Sequence, residues 1–182
     1  TAEVTTRDID RGSFPHFLLK ELSDAPGSFR KTLRGKLLER DGRLEVVLGP
    51  TTLPDDVRSD LASGRITRVQ VIGQGTAAAA GHGLVAALSH LLADTPVRVE
   101  AVLATELSGF GLRPDMSDTL VVAISQSGTT TDTNRTVDLA RGRGARVIAI
   151  VNRRGSDLCY KSDGVLFTSD GRDVEISVAS TK

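Results

Sequence analysis

Apolar positions along the chain change their spacing once, early, and the change divides the sequence. Phe14, Phe17, Leu18 and Leu22 recur at helical intervals, with Lys20 and Glu21 on the opposite side. Ala25-Pro26-Gly27 interrupts that pattern, and Phe29, Leu33, Leu37 and Leu38 then predict a second short amphipathic helix. The two together predict a helical hairpin. Residues 1–13 are polar, without apolar periodicity, and read as a linker. The short run Leu44 to Leu48, bounded by Gly42 and by Gly49-Pro50, takes no firm assignment.

Beyond residue 53 the chain settles into a strand–helix rhythm. A helix is predicted from Asp55-Asp56 through Leu61, closed by Gly64, and a strand over Arg68 to Ile72. An Ala- and Leu-rich helix follows over Ala77 to Ala93, then a strand at Val97 to Ala101 and a short helix near Thr105 to Phe110. Thr119 to Ile124 and Val147 to Val151 are almost wholly apolar, as strands covered on both faces must be. Thr130 to Arg141 is a helix between them, and Val165 to Phe167 is one more strand. Such alternation predicts an α/β fold of three layers, a central parallel sheet with helices on both sides, preceded by the helical hairpin. The expected division is 1–13 linker, 14–53 hairpin and connection, 54–182 main domain. Ligands of such sheets sit at the carboxyl ends of the strands, where strand order reverses.

Composition narrows the partners. Lys plus Arg and Asp plus Glu each number 23, so a net charge of +0 argues against nucleic acid and anionic membranes as generic partners. No apolar run is long enough to span a bilayer. The single Cys159 excludes an internal disulfide and a multi-cysteine zinc site, which fits a cytoplasmic location. The chain lacks an initiating Met and a signal-peptide pattern, and reads as part of something longer.

The strand ending at Ile124 runs directly into Ser125-Gln126-Ser127-Gly128-Thr129-Thr130-Thr131-Asp132, and a helix follows. A loop of this kind offers hydroxyls, an amide, main-chain N–H groups and the positive end of a helix dipole, which together suit a phosphate. Each hydrogen bond to a charged oxygen is worth roughly 1.5–3 kcal/mol, so several hold a phosphate without Lys or Arg. The alternative is that these residues only cap the next helix, a role Ser, Thr and Asp fill well. No Gly-Lys pair of the nucleotide P-loop type is present.

Ser125-Gln126-Ser127-Gly128-x-Thr130 resembles the phosphate loop of sugar isomerase (SIS) domains. Pro15 to Glu21 resembles the helix opening the isomerase portion of the glutamine–fructose-6-phosphate aminotransferase (glucosamine-6-phosphate synthase) family. Val178-Ala179-Ser180-Thr181-Lys182 is similar to that family's segment after the last strand of its first SIS domain. The resemblance implies a sugar-phosphate-binding SIS domain over 54–182, with Ser125, Gln126, Ser127 and Thr130 at the phosphate. It likewise implies that Thr76 touches the sugar and that Val178 and Ser180 line the same pocket. Fructose 6-phosphate is the implied substrate, with no cofactor and no metal.

In that family the catalytic glutamate, histidine and lysine lie in later segments, so this chain is expected to bind and not turn over. Other domains of a longer parent chain and a homodimer are the expected partners. Four positions depart from the family pattern: Ala77 replaces a serine, Thr129 a glutamate, Gln74 a cysteine, and Thr105 to Ser108 replaces Ser-Glu-Phe-Arg. A paralogue for another phosphosugar, or a regulatory phosphosugar sensor, therefore stays open.

A competing signal is Gly73-Gln74-Gly75-Thr76-Ala77-Ala78, which fits the dinucleotide fingerprint, with Glu100 as a candidate ribose-binding acid. That alternative leaves the Ser/Thr loop without a role. His16, His82 and His90 are too scattered for a metal site, and Cys159 reads as a small hydrophobe. Glu106 reads as an acid for a substrate proton or, more commonly, an exposed helix carboxylate, Asp132 as a group that caps or orients the loop, and Arg141, Arg143 and Arg146 as a solvated turn.

Overall fold

A computed structural model describes residues 11–171. Its first element is one helix, α1 (Phe17–Leu33), whose N-cap is His16: the imidazole Nδ1 accepts the Leu19 N–H at 3.3 Å. The expected helical hairpin is not formed. Pro26 lies inside α1 and does not end it. Proline removes one N–H and leaves the Leu22 carbonyl without its helical partner. Both residues are exposed, so water can serve that carbonyl and the helix continues.

Leu37 and Leu38, expected on a second helix, belong instead to a β-hairpin of β1 (Leu37–Arg40) and β2 (Arg43–Val46). Its two-residue turn is Asp41-Gly42, both at positive φ (51° and 73°). Asp-Gly is the strongest short-range hairpin signal because such a turn matches the twist of the flanking strands. Here it overrides an apparent helical spacing of leucines. The stretch left unassigned is β2.

The main sheet has five parallel strands: β3 (Arg68–Gly73), β4 (Arg98–Leu103), β5 (Thr119–Ser125), β6 (Arg146–Val151) and β7 (Gly164–Phe167). Their spatial order is β4-β3-β5-β6-β7. Side chains alternate between the faces along each strand. Val69, Val71, Leu120, Val122 and Ile148 pack on one face with Val57 and Leu61 of α2 (Asp55–Ala62) and Leu84 and Val85 of α3 (Thr76–Leu91).

Ile72, Val121, Ala123, Val147, Ala149 and Val151 pack on the other. There they meet α4 (Ala104–Glu106) with the π-helical turn Leu107–Gly111, α5 (Thr131–Arg141) and α6 (Asp157–Lys161), through Leu107, Val137, Ala140 and Leu158. Three layers result, α/β as expected. β5 is the central strand, flanked by β3 and β6, and the buried core residues of β5 and β6 together forfeit several kcal/mol if exposed, at about 25 cal/mol per Å² of apolar surface.

The chain winds from β3 outward to β4, then returns past β3 to lay down β5, β6 and β7. The carboxyl ends of β3 and β5 therefore flank the point where winding reverses. α1 closes against the turn Thr168–Gly171 after β7, where the Ser169 N–H donates to Thr32 Oγ1 at 2.8 Å. The basic cluster is paired as well as solvated: Arg141 meets Asp163 at 2.9 Å and Arg146 meets Asp56 at 3.1 Å. Among the described residues no helix is long and apolar enough to cross a membrane.

Candidate functional site

A cleft of about 380 Å³ opens at the carboxyl ends of the strands, over the reversal point. Gln74 and Thr76 reach it from the turn after β3, Ser125, Gln126, Ser127 and Thr130 from the loop after β5, and Asn152 from the end of β6. Thus five of the seven residues expected at the ligand line one cavity. The other two, Val178 and Ser180, lie outside the described residues.

The loop after β5 is held rigidly. Ser125, 3 % exposed, accepts the Gly128 N–H on its Oγ at 3.1 Å, and that oxygen stands 3.3 Å from Thr130 Oγ1. Ser127 Oγ accepts the N–H and the hydroxyl of Thr129 at 3.2 and 3.0 Å. From below, Asn134 Nδ2 donates to the carbonyls of Gly128 and Thr130, both at 3.1 Å. The Gln126 carbonyl accepts the N–H groups of Asn152 and Arg153, and the Gly128 carbonyl accepts that of Leu158. Three neighbouring elements thus clamp six residues, so little loop entropy remains to be lost when a ligand binds.

Helix capping does not account for these hydroxyls. Thr130 is the N-cap of α5, yet its side chain makes no capping hydrogen bond. The first turn of α5 keeps its positive dipole end uncapped beside the cleft, an arrangement that favours an anion. Across the reversal point, Gln74 Nε2 donates to Asp132 Oδ2 at 3.4 Å, tying the turn after β3 to that first turn. Asp132 orients the two loops, as expected.

The cleft's lining carries no titratable side chain among the described residues. Its floor and one wall are apolar, from Ile124, Ile150, Ala80 and Leu84. Perturbed titration lies at the opposite pole of the sheet. There the hydrogen bond from Arg113 holds the Asp118 carboxyl below the usual carboxylate range, and the same bond raises Arg113.

Other candidates fall elsewhere. Glu100 sits mid-strand in β4 and accepts from Gln70 Nε2 at 2.7 Å, so it is not at a strand end where a ribose would lie. His82, His90 and Glu106 are exposed on their helices. Cys159 Sγ is 3.3 Å from Ser156 Oγ, away from the cleft lining. Asn152 and Thr168 line the cleft but drew no attention in the sequence. The available signal for Asn152 was its place, the first polar residue after the wholly apolar Val147 to Val151.

Comparison with known proteins agrees with this geometry. The family model described as the SIS domain matches residues 64–182. Glutamine–fructose-6-phosphate aminotransferase [isomerizing] of Symbiobacterium thermophilum is 40% identical over 176 residues, covering 95% of this chain and 26% of that protein. The Corynebacterium glutamicum protein of the same name is 41% identical over 176 residues, again 95% of this chain and 26% of the relative. The chain thus spans about a quarter of the length of the curated relatives it matches.

Among solved structures, the C-terminal domain of glucosamine-fructose-6-phosphate aminotransferase from Francisella tularensis superposes with a TM-score of 0.70 at 26% identity, covering 92% of this chain and 42% of that one. Glucosamine-6-phosphate deaminase from Thermotoga maritima, at 20% identity and a TM-score of 0.59 over 84% of this chain and 40% of that one, shares the fold. With the phosphate-loop pattern standing at the reversal point of a sheet of this order, and a family model matching well over half of its length, the chain belongs to the SIS-domain family.

Proposed function

We propose that the cleft binds a sugar phosphate, with the phosphate on the Ser125–Thr130 loop and the sugar toward Thr76. One observation carries this reading: the hydroxyl residues Thr76, Ser125, Ser127 and Thr130 and the amide residue Gln126 line one cavity beside the uncapped start of α5. An anion there gains hydrogen bonds worth roughly 1.5–3 kcal/mol each without a cation in the lining. A hexose 6-phosphate such as fructose 6-phosphate is the proposed ligand, supported by the names of the relatives at 40% and 41% identity.

The chain alone binds this ligand without converting it. Isomerisation needs a group that moves a proton, and no described lining residue titrates. Catalysis then belongs to further domains of a parent protein, a reading supported by the fourfold greater length of the relatives; a cytoplasmic homodimer is proposed with it.

Thermal-shift titration of the chain with fructose 6-phosphate, glucosamine 6-phosphate, inorganic phosphate and NADH tests the reading. A ligand at 100 times its Kd stabilises by about 2.7 kcal/mol, a shift of several degrees. The phosphosugars should produce it, and Ser127→Ala and Thr130→Val should abolish it. Stabilisation by NADH alone would overturn the proposal.

A further inference from the structure

Two asparagines are buried beneath the loop after β5, and among the described residues Asn134 uses only the Nδ2 end of its amide and Asn152 uses neither end. Asn134, 6% exposed, spends its Nδ2 on the carbonyls of Gly128 and Thr130. Asn152 is 1% exposed, and its side chain does nothing comparable: among the described residues neither Oδ1 nor Nδ2 has a hydrogen-bond partner. Its main-chain N–H is engaged, donating to the Gln126 carbonyl at 3.1 Å, so the residue is fixed in place while its amide is idle.

Asn152 is also part of the cleft lining, at the carboxyl end of β6 next to the phosphate loop. Burying a primary amide without partners is unfavourable, because two donors and an acceptor lose water and receive nothing. Leucine has almost the same branched shape and would suit the neighbouring Ile150 and Val151 better. An unsatisfied buried amide at such a place calls for a partner, and a ligand in the cleft can supply one.

The chemistry of the amide selects the partner. A phosphate only accepts hydrogen bonds, and the loop hydroxyls and the start of α5 already serve an acceptor. A sugar hydroxyl donates and accepts, as does an amide carrying both Oδ1 and Nδ2. We propose that Asn152 is a specificity-determining residue that hydrogen-bonds the hydroxyl or carbonyl oxygens of the sugar, separately from the groups that hold its phosphate. This rests on the phosphosugar reading of the cleft and adds to it the residue that tells a sugar phosphate from a bare phosphate.

The experiment compares Asn152→Ala, Asn152→Leu and Ser127→Ala in the whole 182-residue chain, by calorimetric titration with fructose 6-phosphate and with inorganic phosphate and by thermal melting without ligand. Loss of hydrogen bonds to neutral hydroxyls should weaken fructose 6-phosphate about tenfold in both Asn152 variants. Binding of inorganic phosphate should stay within about twofold, whereas Ser127→Ala should weaken both ligands. Asn152→Leu should melt at the same temperature as the unsubstituted chain or above it, since an idle buried amide is replaced by an apolar group of the same shape.

Equal weakening of both ligands in Asn152→Ala would make Asn152 a support of the loop and overturn the inference. So would a lowered melting temperature in Asn152→Leu, the mark of a structural amide, and so would unchanged affinity for the sugar phosphate. If the unsubstituted chain binds neither ligand, the phosphosugar reading itself fails and this inference with it. If it binds both and only Asn152 proves indifferent, the reading stands and the inference alone falls.

Discussion

Ser156 occupies the space that a side chain at Gly128 would need. A Cβ built on Gly128 would overlap the Ser156 hydroxyl and lie 2.6 Å from Ser156 Cβ and 2.9 Å from Val151 Cγ2. Gly128 also has φ +66°, a conformation that L side chains rarely adopt. Glycine is therefore required here by packing of the phosphate loop onto the turn before α6, as much as by any approach of a ligand. Ser156 is in turn 5% exposed, with no room to withdraw.

Gly128→Ala should consequently destabilise the chain. Left-handed strain of about 1–2 kcal/mol and overpacking of about 1–3 kcal/mol act together. A loss of roughly 2–5 kcal/mol in urea denaturation is expected, along with loss of the phosphosugar shift. A loss below about 0.5 kcal/mol, the range of ordinary surface changes, would show that the loop can move off Ser156.

Ser125 and Ser127 should separate in their effects although both belong to the loop. The Ser125 hydroxyl is buried and accepts the Gly128 N–H, so Ser125→Ala strands a buried donor. A cost of about 1–3 kcal/mol in stability is expected. Among the described residues the Ser127 hydroxyl bonds only to the exposed Thr129, and Ser127→Ala should stay within about 0.5 kcal/mol of the original chain. Paired urea melts check the contrast; equal losses would contradict it.

Acid stability should depend on Asp118. The Arg113 hydrogen bond, aided by Thr119 and by the nearby Arg68, depresses its folded-state pKa. A depressed carboxylate contributes stability that is fully present above its unfolded value of about 3.9. That contribution is lost as pH falls from about 4 through the folded value. The Asp118 side chain is 35% exposed, so the pair is worth only about 0.5–1 kcal/mol after screening. Asp118→Asn should lower the melting point at pH 7 by a few degrees at most and flatten its decline between pH 5 and pH 2. A decline of unchanged slope would exclude this pair as a source of acid sensitivity.

Pro26→Ala should tighten α1. The substitution restores an N–H to the Leu22 carbonyl within a helix that already runs through Pro26. Interior proline costs about 3 kcal/mol relative to alanine, so local opening should become harder by roughly 1–3 kcal/mol. Amide hydrogen exchange across residues 22–29 measures it. Reduced protection there would mean that the helix breaks at Pro26 after all.

The inner strands β5 and β6 were legible because each is an apolar run covered on both faces, whereas the edge strand β4 is partly exposed and carries Arg98 and Glu100. Thr119 to Ile124 and Val147 to Val151 emerge within one residue of β5 and β6 at most ends. The hydroxyl-rich loop after β5 was legible for the same reason: four hydroxyl residues and a glycine directly follow such a run. The amino-terminal segment was misread where two local rules conflicted. Leucines at helical spacing suggested a second helix, but Asp41-Gly42 imposes a hairpin turn that no helix can contain.

What the sequence determined by itself was local and periodic: which segments are strands, which loop carries hydroxyls, and that β5 leads into it. Strand order was decided only by tertiary packing, since β3 must accept β4 on one edge and β5 on the other. That order alone brings Thr76 and the Ser125–Thr130 loop to one cavity, from turns some fifty residues apart. Burial was likewise invisible in one dimension. Asn134 and Asn152 read alike as polar residues, and only the packed loop shows Asn134 Nδ2 engaged and the Asn152 amide idle among the described residues, because hydrogen-bond satisfaction depends on tertiary neighbours.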